Sequence, residues 1–593
     1  VYIYAADNGN ISYQGNGSSG IYVWGVQLEA LSYTTSYIPT NGATSTRLQD
    51  IANNSGNSTL INSTEGVLYV DIAALTDLGS YRLISLNSDN SSSNRITIAY
   101  DVVNNQIYGQ CVAGGVSQAL FTTQPTSISD FNKIALKYKA NDLAFWVNGV
   151  EVGTDTSASI PTNLNRLSFD RADAAAFFYG KNKAVAVWKE ALTDTELELL
   201  TAPTPEFPTF SLDFDTIAEQ FTFARGSEAT FVNEQGLIQS TASNDAPRID
   251  YSTGVEAFLL EPQSTNLIPY SEDFSNWSNA RTNDTANQAN SPNGLNNGTL
   301  LEQQSGQTNA GSIYVGGLSL PSGTYTQSIF AKKKDKDFIV AYNTMAERTY
   351  FNLSNGTIGT VATGNVAKIE DYGNGWYRCE ITYTTTTPGG VIAFYLADTD
   401  NSLVVTDSGG VYIWGGQLEQ QSYATSYIPT SGASATRNQE TCIDATPTIN
   451  SKEGVLYAEI SALAIGANHR YISLSDGTAN NRFIIRYISG GGNQIGVFCR
   501  VGGATQFSLF KTMTDITNYS KVALKYGLNN FALWIDGVEI GADTTAIVPA
   551  KNTLNQISFE DATGGAYFYG NTKGLQLFDK ALSDYQLKQL TTI

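Results

Sequence analysis

Short runs of Val, Ile, Tyr, Phe and Thr, each bounded by Gly, Asn, Asp or Ser, recur along almost the whole chain. That pattern predicts an all-β protein of short strands and tight turns. In GVLYVDIAAL, which starts at Gly66, alternation puts Val67, Tyr69 and Asp71 on one strand face and Leu68, Val70 and Ile72 on the other. FWVNGVEVG and LWIDGVEIG read as hairpins, with Asn148-Gly149 and Asp536-Gly537 supplying the positive φ angles of the turn. Their alternation sets Phe145 and Val147 opposite Trp146, and Leu533 and Ile535 opposite Trp534. Two helices are predicted. Thr193-Asp194-Thr195-Glu196 and Ser583-Asp584-Tyr585-Gln586 are capping boxes. Leu197 and Leu200, and Leu587 and Leu590, then form an apolar stripe that docks each helix on a sandwich.

The chain repeats itself. Ile21–Arg47 recurs as Val411–Arg437, an offset of 390 residues, and EGVLYVDIAAL from Glu65 recurs as EGVLYAEISAL from Glu453, an offset of 388. Residues 1–203 match 391–593 nearly end to end. A unit this long is a tandem multidomain block rather than a solenoid repeat. Val1 aligns with Val391, inside the strand-like run VIAFYLA. The alignment therefore predicts that the chain starts inside a domain and is a fragment of a longer protein.

Composition narrows the chemistry. A length of 593 residues suggests about four domains, and 41% hydrophobic with 11% aromatic residues is enough for several packed cores. With 34 Lys and Arg against 55 Asp and Glu, the formal charge is −21. That argues against a surface built to neutralise phosphate backbones, so no nucleic-acid partner is expected. No apolar run approaches the ~20 residues of a membrane helix. The single histidine, His469, removes most histidine-based metal and triad chemistry. Cys111, Cys379, Cys442 and Cys499 are too few for a disulfide scaffold. Cys111 and Cys499 occupy equivalent places in the repeat, which predicts a shared buried packing role. Spacing leaves a Cys442–Cys499 bridge open.

The EGVLY strand, the K(I/V)ALKY strand, the W(V/I)(N/D)G hairpin, the FYG strand and the closing ALTDTELELL or ALSDYQLKQL helix resemble the laminin-G-like, concanavalin A-like jelly roll. The block from Asn266 to Arg437 resembles the carbohydrate-binding-module-like β-sandwiches of phage structural proteins. The stretch from about 221 to 268 resembles the segment preceding such modules in phage tail and virion-surface proteins, and FARGSEATFV, EPQSTNLI and SYIPTSGASATR are the distinctive phrases of the whole resemblance. The resemblance implies five parts: 1–47, the C-terminal part of a truncated carbohydrate-binding-module-like sandwich; 48–203, a laminin-G-like jelly roll; 204–265, a β-rich connecting segment; 266–437, a second carbohydrate-binding-module-like sandwich; and 438–593, a second jelly roll.

Three chemistries are weighed. Concanavalin A-like folds include glucanases, whose paired carboxylates come from one strand. The corresponding strands here hold a single acid each, Asp71 and Glu459, so a solvated strand residue is the simpler reading and no catalytic residue is assigned. Glycan binding by a lectin-type site needs an aromatic face beside hydrogen-bonding side chains. Trp146 with Asn148, and Trp534 with Asp536, are the candidate platforms, against the simpler reading that both indoles are second-layer core. Trp24, Trp376 and Trp414 sit in apolar strands and read as core. Calcium is the one cofactor considered. FDRAD (Asp170, Asp173) and FEDAT (Glu560, Asp561) keep acids at equivalent strand ends, as does DTDN (Asp398, Asp400), against the simpler reading of solvated acidic turns. The KKKDK run, Lys332 to Lys336, reads as a solvated loop.

The expectation from sequence is a non-enzymatic virion-surface protein, part of a phage tail or capsid fibre. It adheres to host cell-surface glycans, sits beside other virion proteins, forms a homo-oligomer and does not insert into membranes. The alternatives are a polysaccharide depolymerase, a purely structural decoration or spacer fibre, and a secreted bacterial adhesin.

Overall fold

The computed structural model describes residues 22–31, 33–78, 80–89, 91–125, 127–173, 175–203, 206–386, 389–465, 470–488 and 492–593. His469 therefore lies outside the described residues. The chain forms two compact units, Val1–Pro205 and Glu206–Ile593. Both are built of antiparallel strands.

The first unit is a jelly-roll sandwich of two five-stranded sheets. One runs Gly180–Trp188, Glu65–Ala74, Asn132–Lys139, Leu143–Val147, Val150–Asp155. The other runs Val116–Thr123, Ile107–Ala113, Ser91–Tyr100, Arg82–Ser88, Arg166–Ser168. Leu68, Val70 and Ile72 of one sheet meet Ile84, Leu86, Ile96 and Ile98 of the other in a core that excludes water. Each such side chain contributes about 1.5–3 kcal/mol by leaving water. The opposite face of the Glu65 strand, with Val67 and Tyr69, packs under Leu197 of the helix Asp194–Thr201. Both faces of this first sheet are thus covered.

The second unit ends in the same sandwich. Its helix-covered sheet has eight strands, because Phe210–Ser211, Arg248–Asp250 and Ala257–Leu260 add to the edge at Gly570–Phe578. Its other sheet runs Ala504–Thr512, Gln494–Val501, Arg482–Tyr487, Arg470–Ser475, Gln556–Ser558. Ahead of it stands a sandwich of two six-stranded sheets, whose strands lie between Ser278 and Glu419. Cys111 and Cys499 lie in equivalent cores, and all four thiols are buried and free.

The local expectations hold. Asn148, Gly149, Asp536 and Gly537 have φ of 52°, 81°, 52° and 77°. Both capping boxes form, at Thr193 with Glu196 and at Ser583 with Gln586.

Three expectations fail. Asp71, read as a solvated strand residue, is buried. Lys336 is buried, not solvated: its ammonium reaches the carboxylates of Asp398 and of Asp407, the latter at 2.7 Å. Burial of one lysine in the run is tolerated because two acids compensate it. Trp24 is exposed, whereas its repeat partner Trp414 is buried. Trp414 belongs to Gly410–Glu419, which is flanked by Gly298–Gln303 and Gly323–Lys333. The stretch around Trp24 has no strand neighbour among the described residues.

The distinctive phrases of the sequence meet in one buried ion network. Arg225 reaches Glu440 at 2.8 Å, and Arg248 reaches Glu261 at 2.8 Å and Glu440. Arg437 also reaches Glu261 at 2.8 Å. All five side chains are essentially without solvent contact. Burial alone raises the Glu261 carboxyl, but Arg437 and Arg248 outweigh it and bring Glu261 down to about 2.

Candidate functional site

The sequence-predicted platforms lie inside the molecule. Trp146 and Trp534 are each 7% exposed. Trp146 packs with Tyr69 and Leu197, and Trp534 with Tyr457 and Leu587, beneath the closing helix of each copy. The helix that the leucine stripe predicts docks on the face the indoles share, so neither ring offers a face to a sugar. Asn148 and Asp536 brace their own turns. The Asn148 Oδ1 accepts from the Lys133 amide at 3.0 Å, and the Asp536 Oδ1 accepts from the Lys521 amide at 2.9 Å.

The acids weighed for calcium are placed as follows. Asp170 is buried and accepts from the Ala172 amide at 2.6 Å. Asp173 is held by Arg171 at 2.7 Å, and that hydrogen bond lowers its pKa. Asp561 accepts from the Thr563 amide at 3.0 Å and hydroxyl at 2.6 Å, and Arg482 lies 3.3 Å away. Glu560 is buried, its carboxyl raised by that burial. Among the described residues no three His, Cys, Asp or Glu side chains gather as a metal site. Asp398 and Asp400 are likewise engaged, with Lys336 and with Thr360.

One carboxyl pair escaped the sequence reading. Lys368 and Glu370 stand across from Glu380 and Arg378 on neighbouring strands. Glu370 and Arg378 border a 240 Å³ cleft that Asp250, Tyr372 and Tyr519 also line. Burial raises both carboxyls. Lys368 together with Arg378 more than offsets this at Glu370, whereas Glu370 adds to burial at Glu380, which stays well above the usual carboxylate range.

Arginine and aromatic side chains concentrate on the outer face of the second sheet in the C-terminal jelly roll. Phe483, Ile485, Val497 and Cys499 point into the core. Alternation therefore turns Arg482, Ile484 and Arg486, with Phe498 and Arg500, outward. Arg482 stands directly opposite Arg500, Ile484 opposite Phe498, and Arg486 opposite Gly496. Three guanidinium groups converge on the Phe498 ring, with Arg486, Arg500 and Arg482 at 5.0, 5.6 and 6.0 Å from its centroid. Arg486 also lies 5.8 Å from the Tyr471 ring. Phe510, beside Gly496, is 53% exposed. Sequence reasoning missed this face. Its signal was visible in RFIIRY and VFCRV, where arginines alternate with core residues.

The chain matches no protein-family model and no curated protein sequence. Among solved structures it is similar to the CBM40 of the Ruminococcus gnavus IT-sialidase bound to α2,3-sialyllactose, with 19% identity, 24% of this chain and 83% of that chain covered, and a TM-score of 0.21. It is similar to domains LG4-5 of the mouse laminin α1 chain, with 7% identity, coverage of 93% and 96%, and a TM-score of 0.17. It is also similar to the NanB sialidase of Streptococcus pneumoniae, with 11% identity, coverage of 90% and 99%, and a TM-score of 0.22.

Proposed function

We propose that this protein is a non-enzymatic adhesin for cell-surface glycans, carried on a virion surface. The observation that carries the reading is the contrast between the two sheets of the C-terminal jelly roll. The closing helix covers one sheet. The other turns aromatic rings and hydrogen-bond donors outward, the combination with which proteins hold sugars. The virion setting is supported by the resemblance of FARGSEATFV, EPQSTNLI and SYIPTSGASATR to phage surface modules. Weak sugar sites gain strength when several are linked, so oligomerisation on a particle raises avidity without new contacts.

A glycan array probed with the intact chain tests this. Retention of a subset of glycans, with no shortening of a bound polysaccharide over hours, is the expected result. No retained glycan at all, or progressive loss of polymer length, overturns it.

A further inference from the structure

We infer that the outer face formed by Tyr471, Arg482, Arg486, Phe498, Arg500 and Phe510 binds anionic sugars, through their carboxylate or sulfate groups. The inference rests on the adhesion reading and names the ligand class for one face.

The fold does not require Arg486 or Arg500, while Arg482 is matched by Arg95 in the first copy. The repeat supplies the comparison. Where the C-terminal copy has Arg486, Phe498, Arg500 and Phe510, the first copy has Ala99, Gln110, Val112 and Thr122, with the same cross-strand partners in register. The inward positions keep their character: Ile98 matches Ile485, and Cys111 matches Cys499. The two copies share the packing face, whereas the outer face carries two more arginines in the C-terminal copy.

The charge is also unbalanced locally. Like charges directly opposite on neighbouring strands repel, and Arg482 faces Arg500. Asp561 sits 3.3 Å from Arg482. Among the described residues, Arg486 and Arg500 have no acid partner. The Nε atoms of Arg482, Arg486 and Arg500 are all buried without an acceptor. Buried donors without acceptors are costly. On a chain of net charge −21 this is a local cationic island. Arg95, the first copy's counterpart of Arg482, also has a buried Nε without an acceptor, while its other nitrogens donate to Gln110 at 2.9 Å and to the Ser92 carbonyl; Arg486 and Arg500 are the additions of the C-terminal copy.

The ligand class follows from the donors. A guanidinium presents a planar fork that matches a carboxylate or sulfate with two parallel hydrogen bonds. Stacking on Phe498 holds the forks in place before the ligand arrives, which lowers the ordering cost of binding. The exposed Phe510 ring offers an apolar surface for the C–H face of a sugar.

The test measures binding of the intact chain to polygalacturonate, dextran sulfate, neutral dextran and polyglutamate. The variant is R486A/R500V, which installs the residues the first copy already uses. The expected result is binding of one or both anionic polysaccharides, weakened at least tenfold in the variant, with thermal stability retained. The carboxylated and sulfated arms show which anion is preferred. Unchanged affinity in the folded variant overturns the inference, and so does equal binding of polyglutamate. Wild-type binding of neutral glycans alone overturns it while leaving the adhesion reading standing. Failure on every glycan of a broad array removes both.

Discussion

Arg482 and Arg500 face each other directly across an antiparallel strand pair, and Asp561 reaches only the first of them. This is an expense the fold does not require, since Val112 stands in the place of Arg500 in the first copy. Replacing Arg500 by Val is expected to stabilise the C-terminal jelly roll by up to about 1 kcal/mol. Urea unfolding of wild type and R500V measures this, and a clear loss of stability in R500V contradicts it.

The buried ion network makes the opposite prediction. Glu440 holds Arg225 and Arg248 where no water reaches. Glu440→Gln leaves two buried guanidiniums short of charge and is expected to cost about 3–5 kcal/mol. A cost below about 1 kcal/mol in denaturant titrations would mean the network is not what holds the segments together.

Acid should attack the same place. The native Glu261 carboxyl is lowered from 4.5 to about 2, so its contribution is complete above about pH 4.5. That contribution fades as pH falls from there towards 2, because the unfolded chain takes up the proton first. The melting temperature of wild type should drop across this window more steeply than that of Glu261→Gln. Parallel curves would refute the assignment.

Trp146 and Trp534 give a clean separation of packing from binding. Each is buried beneath a helix, so Trp534→Ala is expected to cost about 3–5 kcal/mol. Trp534→Phe keeps most of the packing and should leave glycan affinity unchanged. A loss of affinity in well-folded Trp534→Phe would return the indole to the binding site.

Much of the fold was legible because it is written locally. Alternation at Leu68, Val70 and Ile72, the Asn148-Gly149 turn and the Thr193 capping box each depend on neighbours a few residues away. The candidate site was harder because exposure is a tertiary property. Nothing in LWIDG states that a helix fifty residues on will cover Trp534. Likewise RFIIRY shows which residues share a face, but not that no helix among the described residues covers that face. Lys336 and Trp24 fail for the same reason: partners distant in sequence, or their absence among the described residues, decide the burial of each.

The ionic lock joining Arg225, Arg248 and Glu261 to Arg437 and Glu440 also constrains inheritance. A recombination event that split the stretch from Arg225 to Glu440 would strand a charge in a dry interior unless the incoming sequence restored its counterpart. Shuffling of such modules between genomes is therefore expected to respect the whole stretch, with crossovers outside it.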